Sequence, residues 1–316
     1  MDVTERMDAP VARVMTWNVL AGGWPRLDAI EAVIRDARPD VIGMQEILPD
    51  ALDALARRLD MRPLSAPSLS GRGSPVGLLS RWPARVAATH ANVPLRNALL
   101  EAEIAPPGAP PIRVAVVHLA AAYSAWRAGE GVRLREIGLA LARIAPEPDR
   151  QRLLLMGDFN SLAPGEDILA ARLLLRAADN DAERAQGAEL DGLPGLAKVL
   201  PPPLRPVGDA LVAAARWAPV ARLFDSATGV YIPRAVVATT RASGLVDLAA
   251  AVQPDPRLRP MTCPSDEPAG RIDYLFASPP LAKALLGCET LTDAPARPVT
   301  AASDHRPVLA ALGLTS

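Results

Sequence analysis

Leu153–Asn160 reads LLLMGDFN: four apolar residues and a glycine, then a carboxylate, a phenyl ring and an amide. The same design, a short β-prone apolar run that stops abruptly at polar or ionisable residues, recurs along the chain. It occurs at Val11–Asn18 (VARVMTWN), Val41–Glu46 (VIGMQE), Ile112–His118 (IRVAVVH) and Arg271–Ser278 (RIDYLFAS). In its last instance the order is reversed, with Asp304 and His305 ahead of Val308–Leu312 (VLAAL). Continuous apolar runs of this length read as strands buried on both faces, and such strands belong to layered α/β folds. Helical patterns lie between them at Leu27–Arg38, Pro49–Leu59 and the amphipathic Val132–Ile144.

A sheet presents side chains into a cleft at the ends of its strands while its body stays packed. Strands ending in Asn18, Glu46, His118, Asp158 and Asn160 therefore predict a polar cluster assembled from distant positions. Crowding so many ionisable groups costs folding energy unless they bind a cation or one another, which favours a metal site.

Each residue carries a plainer reading beside the chemical one. Glu46, a carboxylate at a buried strand end, suits either an arginine pair or a hard cation such as Mg²⁺. Asn18 also suits a simple turn. Asp158 and Asn160 sit two apart, so an extended backbone points both side chains the same way and lets them hold a water nucleophile. An Asx turn after the strand is the competing reading, and Gly157 permits the tight backbone in either case. Alternation places Arg271, Asp273 and Leu275 on one face of their strand and the core residues Ile272, Tyr274 and Phe276 on the other. The charged pair fits a solvated edge, or Asp273 sets the tautomer of His305. Asp304 is then free to bind metal or polarise water, and His118 to contact a phosphate oxygen or protonate a leaving group. His90, with no acids nearby, reads as structural.

The set resembles the endonuclease/exonuclease/phosphatase superfamily, which has the DNase I-like fold. The matching pieces, in family order, are MTWNVL (Met15–Leu20), MQEI (Met44–Ile47), GLLSRWP (Gly77–Pro83), VHL (Val117–Leu119), GDFNS (Gly157–Ser161), RIDYLFAS (Arg271–Ser278) and SDHRPV (Ser303–Val308). The resemblance implies an α/β four-layer sandwich, two packed mixed β-sheets flanked by helices, with the active site at one end of the sheets. It implies phosphoester hydrolysis with Mg²⁺ or Mn²⁺. Glu46 becomes the principal metal ligand with Asn18 and Asp304 near it. Asp158 orients the attacking water, Asn160 holds the phosphate or metal, His118 assists at the phosphate, and His305, steered by Asp273, stabilises the transition state. Leu20, the pair Ile47–Leu48 and His118 depart from the pattern of base-excision endonucleases, which places the chain nearer the DNase I, sphingomyelinase and small-phosphatase branches.

Length permits two domains and equally one large layered domain. The expectation is a single domain over residues 10–316, with a segment at 162–243 inserted at the rim of the cleft. That segment alternates helix-like stretches (Ile168–Ala178, Asp209–Phe224) with a proline-rich loop, Leu193–Pro206. A formal net charge of −1 advertises no polyanion partner, since duplex binding usually needs a basic face. The expected substrate is a phosphomono- or phosphodiester of a small or lipid-derived molecule. A nuclease is the alternative, with Arg72, Arg81, Arg96, Arg127 and Arg133 as phosphate contacts, so nucleic acid stays possible and is not favoured. A catalytically silent binding module is disfavoured because none of the eight site residues is missing. Cys263 and Cys288 are too few and too distant for a zinc site or disulfide framework and read as small, semi-buried residues. The opening residues contain no apolar signal core, and no run approaches the roughly 20 apolar residues of a membrane span, so the expectation is a cytoplasmic monomer.

Overall fold

The structure, a computed structural model, describes residues 11–68, 73–89, 95–121, 126–144, 152–186, 194–200 and 202–314. The expectation for His90 lies outside these residues. The chain first lays down β1 (Val11–Gly22), β2 (Val41–Ile47), β3 (Arg62–Ala66) and β4 (Val76–Ser80). It then crosses to a second sheet with β5 (Ala84–Thr89), β6 (Leu99–Ile104), β7 (Ile112–His118), β8 (Leu153–Asp158), β9 (Val246–Asp247) and β10 (Asp273–Ala277). β11 (Leu285–Thr290) and β12 (Val308–Gly313) return to the first. The sheet orders are β11-β12-β1-β2-β4-β3 and β5-β6-β7-β8-β10-β9.

Each sheet is mixed. One parallel pair lies at its centre, β1 with β2 and β7 with β8, and antiparallel neighbours flank it. A parallel pair needs a crossover, which the helices α1 (Leu27–Ala37) and α3 (Trp126–Ile144) supply, while α2 (Pro49–Leu59) links β2 to β3. Because parallel strands finish at the same end, Asn18 lies level with Gln45 and His118 level with Asp158. The register therefore sets the polar strand ends side by side.

The strands are apolar throughout because both faces are covered. Leu154 and Met156 of β8 join Val14, Val41, Val116 and Leu275 between the sheets. Leu153 and Leu155 face outward onto Ile137, Ala140 and Ile144 of α3. On the other flank, α1 and α2 lay Ile30, Ile34, Leu52 and Leu55 over Trp17, Ile42 and Met44. The result is the expected four-layer α/β sandwich. At Gly43 the sheets come so close that an added Cβ would lie 2.5 Å from the Met156 sulfur. Each large apolar side chain buried here contributes about 1.5–3 kcal/mol, and that core offsets the cost of a buried polar cluster at its end.

Further helices are α4 (Ala170–Ala185), α5 (Leu196–Val199), α6 (Gly208–Ala215), α7 (Ala218–Tyr231) and α8 (Ala235–Ala242), followed by the short α9 (Leu248–Val252), α10 (Pro279–Ala282) and α11 (Val299–Ala302). Leu174, Leu200 and Ala215 pack in their own cluster with Leu211 and Phe224, whereas Val236 and Val237 of α8 join α3 on the second sheet. Three expectations change. The predicted helix over Asp209–Phe224 is two helices, because Trp217 is extended and Pro219, which has no N–H to donate, starts a new one. The proline-rich loop contains α5 and a 3-10 turn at Pro202–Val207. α3 begins six residues ahead of its periodic stretch, through Gly129 and Gly131. Among the described residues no helix is long and apolar enough to cross a membrane.

Candidate active site

β1 and β2 end together, and their ends are held by unusual backbone. Leu20, Ala21 and Glu46 all have positive φ, which costs a non-glycine residue about 1–3 kcal/mol unless surrounding contacts enforce it. Those contacts are present: the Ala21 N–H donates to Glu46 Oε2 at 2.9 Å and the Leu20 N–H to Asn18 Oδ1 at 3.0 Å. The Asn18 amide then donates to Glu46 Oε1 and Asp158 Oδ2, each at 3.2 Å. One amide thus joins the first sheet to the second.

β8 ends in a sharp turn. Gly157 has φ +149, and an added Cβ there would lie 1.8 Å from the Val117 carbonyl oxygen. Beyond it Asn160 is left-handed, with φ +48, and its N–H donates to Asp158 Oδ1 at 2.8 Å. This is the Asx turn. The two side chains do not project as neighbours on an extended strand, because the chain reverses between them and Phe159 enters the outer core. The Asn160 amide donates to the Leu119 carbonyl oxygen at 2.8 Å and stays beside Asp158.

Antiparallel pairing sets Asp273 of β10 opposite Asp158. Asp273 is wholly buried, so the solvated-edge reading fails. Arg271 is buried as well, held by Glu166 and Asp247. Asp273 Oδ2 lies 2.9 Å from His305 Nδ1, as expected, and His305 Nε2 lies 4.0 Å from Asp158 Oδ2. His118 Nε2 completes the ring, 3.5 Å from Asp158 Oδ2 and 4.0 Å from Glu46 Oε1.

The electrostatics follow from this crowding. Burial, aided by Asp273, raises Asp158 to about 6 against the pull of the two histidines. Burial opposes charge on His305, but Asp273 foremost, with Asp304, holds its imidazolium well above the usual histidine range. Burial would also raise Glu46, yet His118 and the hydrogen bonds from Ala21 and Asn18 leave it below the ordinary value. Burial raises Asp304, with Glu46 and Asp273 adding to the effect.

Asp304 Oδ1 and Asp273 Oδ1 are buried with no hydrogen-bond partner. Asp158, Asp273 and His305 present ligand atoms within 4.8 Å of one another, as do Cys263, Asp304 and His305. An oxygen-rich set with an orphaned buried carboxylate oxygen fits a hard divalent cation. Burial raises the Cys263 thiol to about 11, so it adds no thiolate to that set.

All eight expected residues are brought together. Several others that the sequence pattern does not mark out hold them there. Ser303 Oγ donates to the Asn18 carbonyl at 2.7 Å and accepts from the His305 N–H at 3.1 Å. Trp17 Nε1 donates to the His305 carbonyl at 2.8 Å. Arg26 reaches Val19, Leu20 and Ala302 carbonyls and feels both Asp304 and Glu46. Ser303 and Trp17 lie inside matched motifs, which was the available signal; Arg26 lies outside them and carried none.

The profile of the Endonuclease/Exonuclease/phosphatase family matches residues 15–305. The chain belongs to that family. Members of this family are divalent-metal-dependent phosphoester hydrolases, and this member is accordingly a hydrolase acting on phosphoric ester bonds. No curated protein sequence matches it. Its fold is similar to that of an AP endonuclease from Archaeoglobus fulgidus, at 16% identity and a TM-score of 0.61 over 96% of this chain and 100% of that one. It is also similar to the 3′ phosphatase NExo from Neisseria, solved with a product DNA hairpin, at 18% identity and 0.55 over 95% and 98%. An AP endonuclease from Leishmania major matches at 17% identity and 0.56 over 96% and 88%. At these identities the likeness concerns the fold of the family.

Proposed function

We propose that this family member hydrolyses a phosphomono- or phosphodiester of a small or lipid-derived molecule by water attack assisted by Mg²⁺ or Mn²⁺. The observation that carries the reading is the buried His305–Asp273 pair facing Asp158 across 4.0 Å, with Asp304 Oδ1 unpartnered beside it. Glu46 and Asp304 would hold the cation, and Asn18 would fix Glu46 through its amide. The bound ion would supply Lewis acidity at a phosphoryl oxygen and lower the pKa of water. Asp158, raised towards neutrality, accepts the proton of the attacking water. The water oxygen bonds to phosphorus as the P–O bond to the leaving group breaks, and the departing oxygen takes a proton from solvent to leave as the alcohol. The His305 imidazolium, held by Asp273, stabilises charge on the phosphoryl oxygens, and His118, 3.5 Å from Asp158 Oδ2, assists at the phosphate. Residues 10–316 act as one domain, with 162–243 selecting the substrate at the rim.

The alternative is a nuclease, suggested by the likeness to an AP endonuclease and to a 3′ phosphatase solved with a product DNA hairpin. Its arginine contacts are thin. Arg133 is buried and paired with Glu130, Arg72 and the Arg127 side chain lie outside the described residues, and only Arg81 and Arg96 are exposed. Hydrolysis of bis(p-nitrophenyl) phosphate, stopped by chelator and restored by Mg²⁺ or Mn²⁺, tests the first reading; turnover in excess chelator would overturn it. A salt series on an oligonucleotide tests the second, because nucleic-acid cleavage falls steeply as salt rises.

A further inference from the structure

Protein interiors contain few voids larger than a water molecule, so a large apolar cavity needs an occupant. A cavity of about 270 Å³ opens between the catalytic strand ends and the helices α4 and α7. Its wall is built largely from Leu162, Ile168, Leu173, Leu174, Phe224 and Ile232. Water is a poor filling, because each buried molecule needs two to four polar partners. The two arginines in the wall are already engaged, Arg133 with Glu130 and Arg176 with Asp266, so the cavity is no anion trap.

The same wall includes Asn160, Ser161 and Asp304. The cavity therefore continues from the candidate site itself. Ser161 Oγ, buried and without a hydrogen-bond partner, offers a donor where an apolar group would meet a phosphate. The outward side of α7 adds an independent observation. Trp217, just before the helix, and Leu223, Val230 and Tyr231 on it are 62–80% exposed, an unusual concentration of large apolar groups beside the cavity. An aromatic and aliphatic face of this kind suits contact with amphiphiles.

We infer that the cavity holds the hydrocarbon chain of the substrate, so that this enzyme acts on phosphoesters of long-chain alcohols or acylated glycerols. The inference rests on the phosphoester reading above and narrows it. The phosphate sits among Asp158, Asp304 and His305, and the chain runs past Ser161 between α4 and α7. If a methylene takes about the 30 Å³ of a liquid water, the volume accommodates about nine.

The test is inhibition of bis(p-nitrophenyl) phosphate hydrolysis by n-alkylphosphonates from methyl to decyl, all monomeric in solution, with Mg²⁺ present. Ki should fall by up to about 4-fold per methylene through the middle of the series. Ile232→Trp, which fills the cavity at a half-buried position, should flatten that slope and bring the decylphosphonate Ki towards the methylphosphonate Ki. Leu174→Ala should move the plateau to longer chains, which guards against a filled variant that merely misfolds. A Ki independent of chain length, or an unaltered slope in both variants, would overturn the inference. Thermal stabilisation by decylphosphonate over methylphosphonate is read in parallel. If that stabilisation appears while no ester is hydrolysed, the cavity inference stands and the phosphoesterase reading fails. Flotation with phosphatidylcholine vesicles separates the two sources of the chain: co-flotation means a bilayer lipid, and a retained Ki slope without it means a free amphiphile.

Discussion

His305 Nδ1 lies 2.9 Å from Oδ2 of the wholly buried Asp273, on a strand that pairs directly with the one ending in Asp158. The carboxylate holds the ring and favours its cationic form. Asp273→Asn keeps the shape and removes the charge, so His305 should lose its raised pKa and its orientation. The expected result is a fall in kcat of about 10²-fold or more on bis(p-nitrophenyl) phosphate, with an unchanged urea midpoint slope. The ¹H–¹⁵N resonances of His305 would report the second effect directly; an imidazolium as persistent as in the parent protein would contradict it.

Glu46 stands at the other end of the cluster, with both oxygens already tied to the first sheet. Glu46→Gln replaces a hard anionic ligand by a weak one while preserving the hydrogen-bonding length. Activity should fall below detection at 1 mM Mg²⁺ (about the cellular scale), and Asp158→Asn should match it for want of a proton acceptor. Circular dichroism should show the parent fold in both. Turnover near the parent level in either would refute the assigned roles.

The strand ends were readable because two facts coincide in one dimension: apolar runs buried on both faces, and polar residues where the sheet stops. β7 appears with the expected bounds for that reason, and α2 because its apolar residues recur at helical spacing after Pro49. What escaped reading depends on partners remote in the chain. Arg271 looked like an edge residue, yet Glu166 lies 105 positions away and Asp247 24, and together they bury it. Asn160 escaped differently. Its positive φ reverses the chain, so a period-two argument could not place its side chain.

Gly157 tests how far the site depends on backbone fit. Its φ of +149 disfavours any side chain, and an added Cβ would strike the Val117 carbonyl of the parallel neighbour at 1.8 Å. Backbone cannot step aside as a flexible side chain can. Gly157→Ala should therefore destabilise the protein by about 3 kcal/mol and displace Asp158, which follows directly. Urea denaturation gives the first quantity, and kcat measured well below the midpoint gives the second. A variant with parent stability would mean that β7 and β8 are not packed this closely.

The ion network behind the site has its own pH signature. Arg271 donates to both oxygens of Asp247, at 3.0 and 2.6 Å, and Arg241 adds a contact at 2.7 Å. Burial would raise the Asp247 pKa, but the two guanidiniums, Arg271 foremost, bring it down to about 2 from an ordinary 3.8. A carboxylate depressed in the folded state binds its proton later than the unfolded chain does. Its stabilisation is therefore complete above about pH 4 and is lost as pH falls towards 2. A shift of this size corresponds to about 2 kcal/mol. Asp247→Asn removes that term, so the gap in urea midpoint between parent and variant should hold constant from pH 7 to about pH 5 and close progressively between pH 4 and pH 2. A gap that persists undiminished at pH 2.5 would place the acid sensitivity in other carboxylates and leave Arg271 held by Glu166 instead.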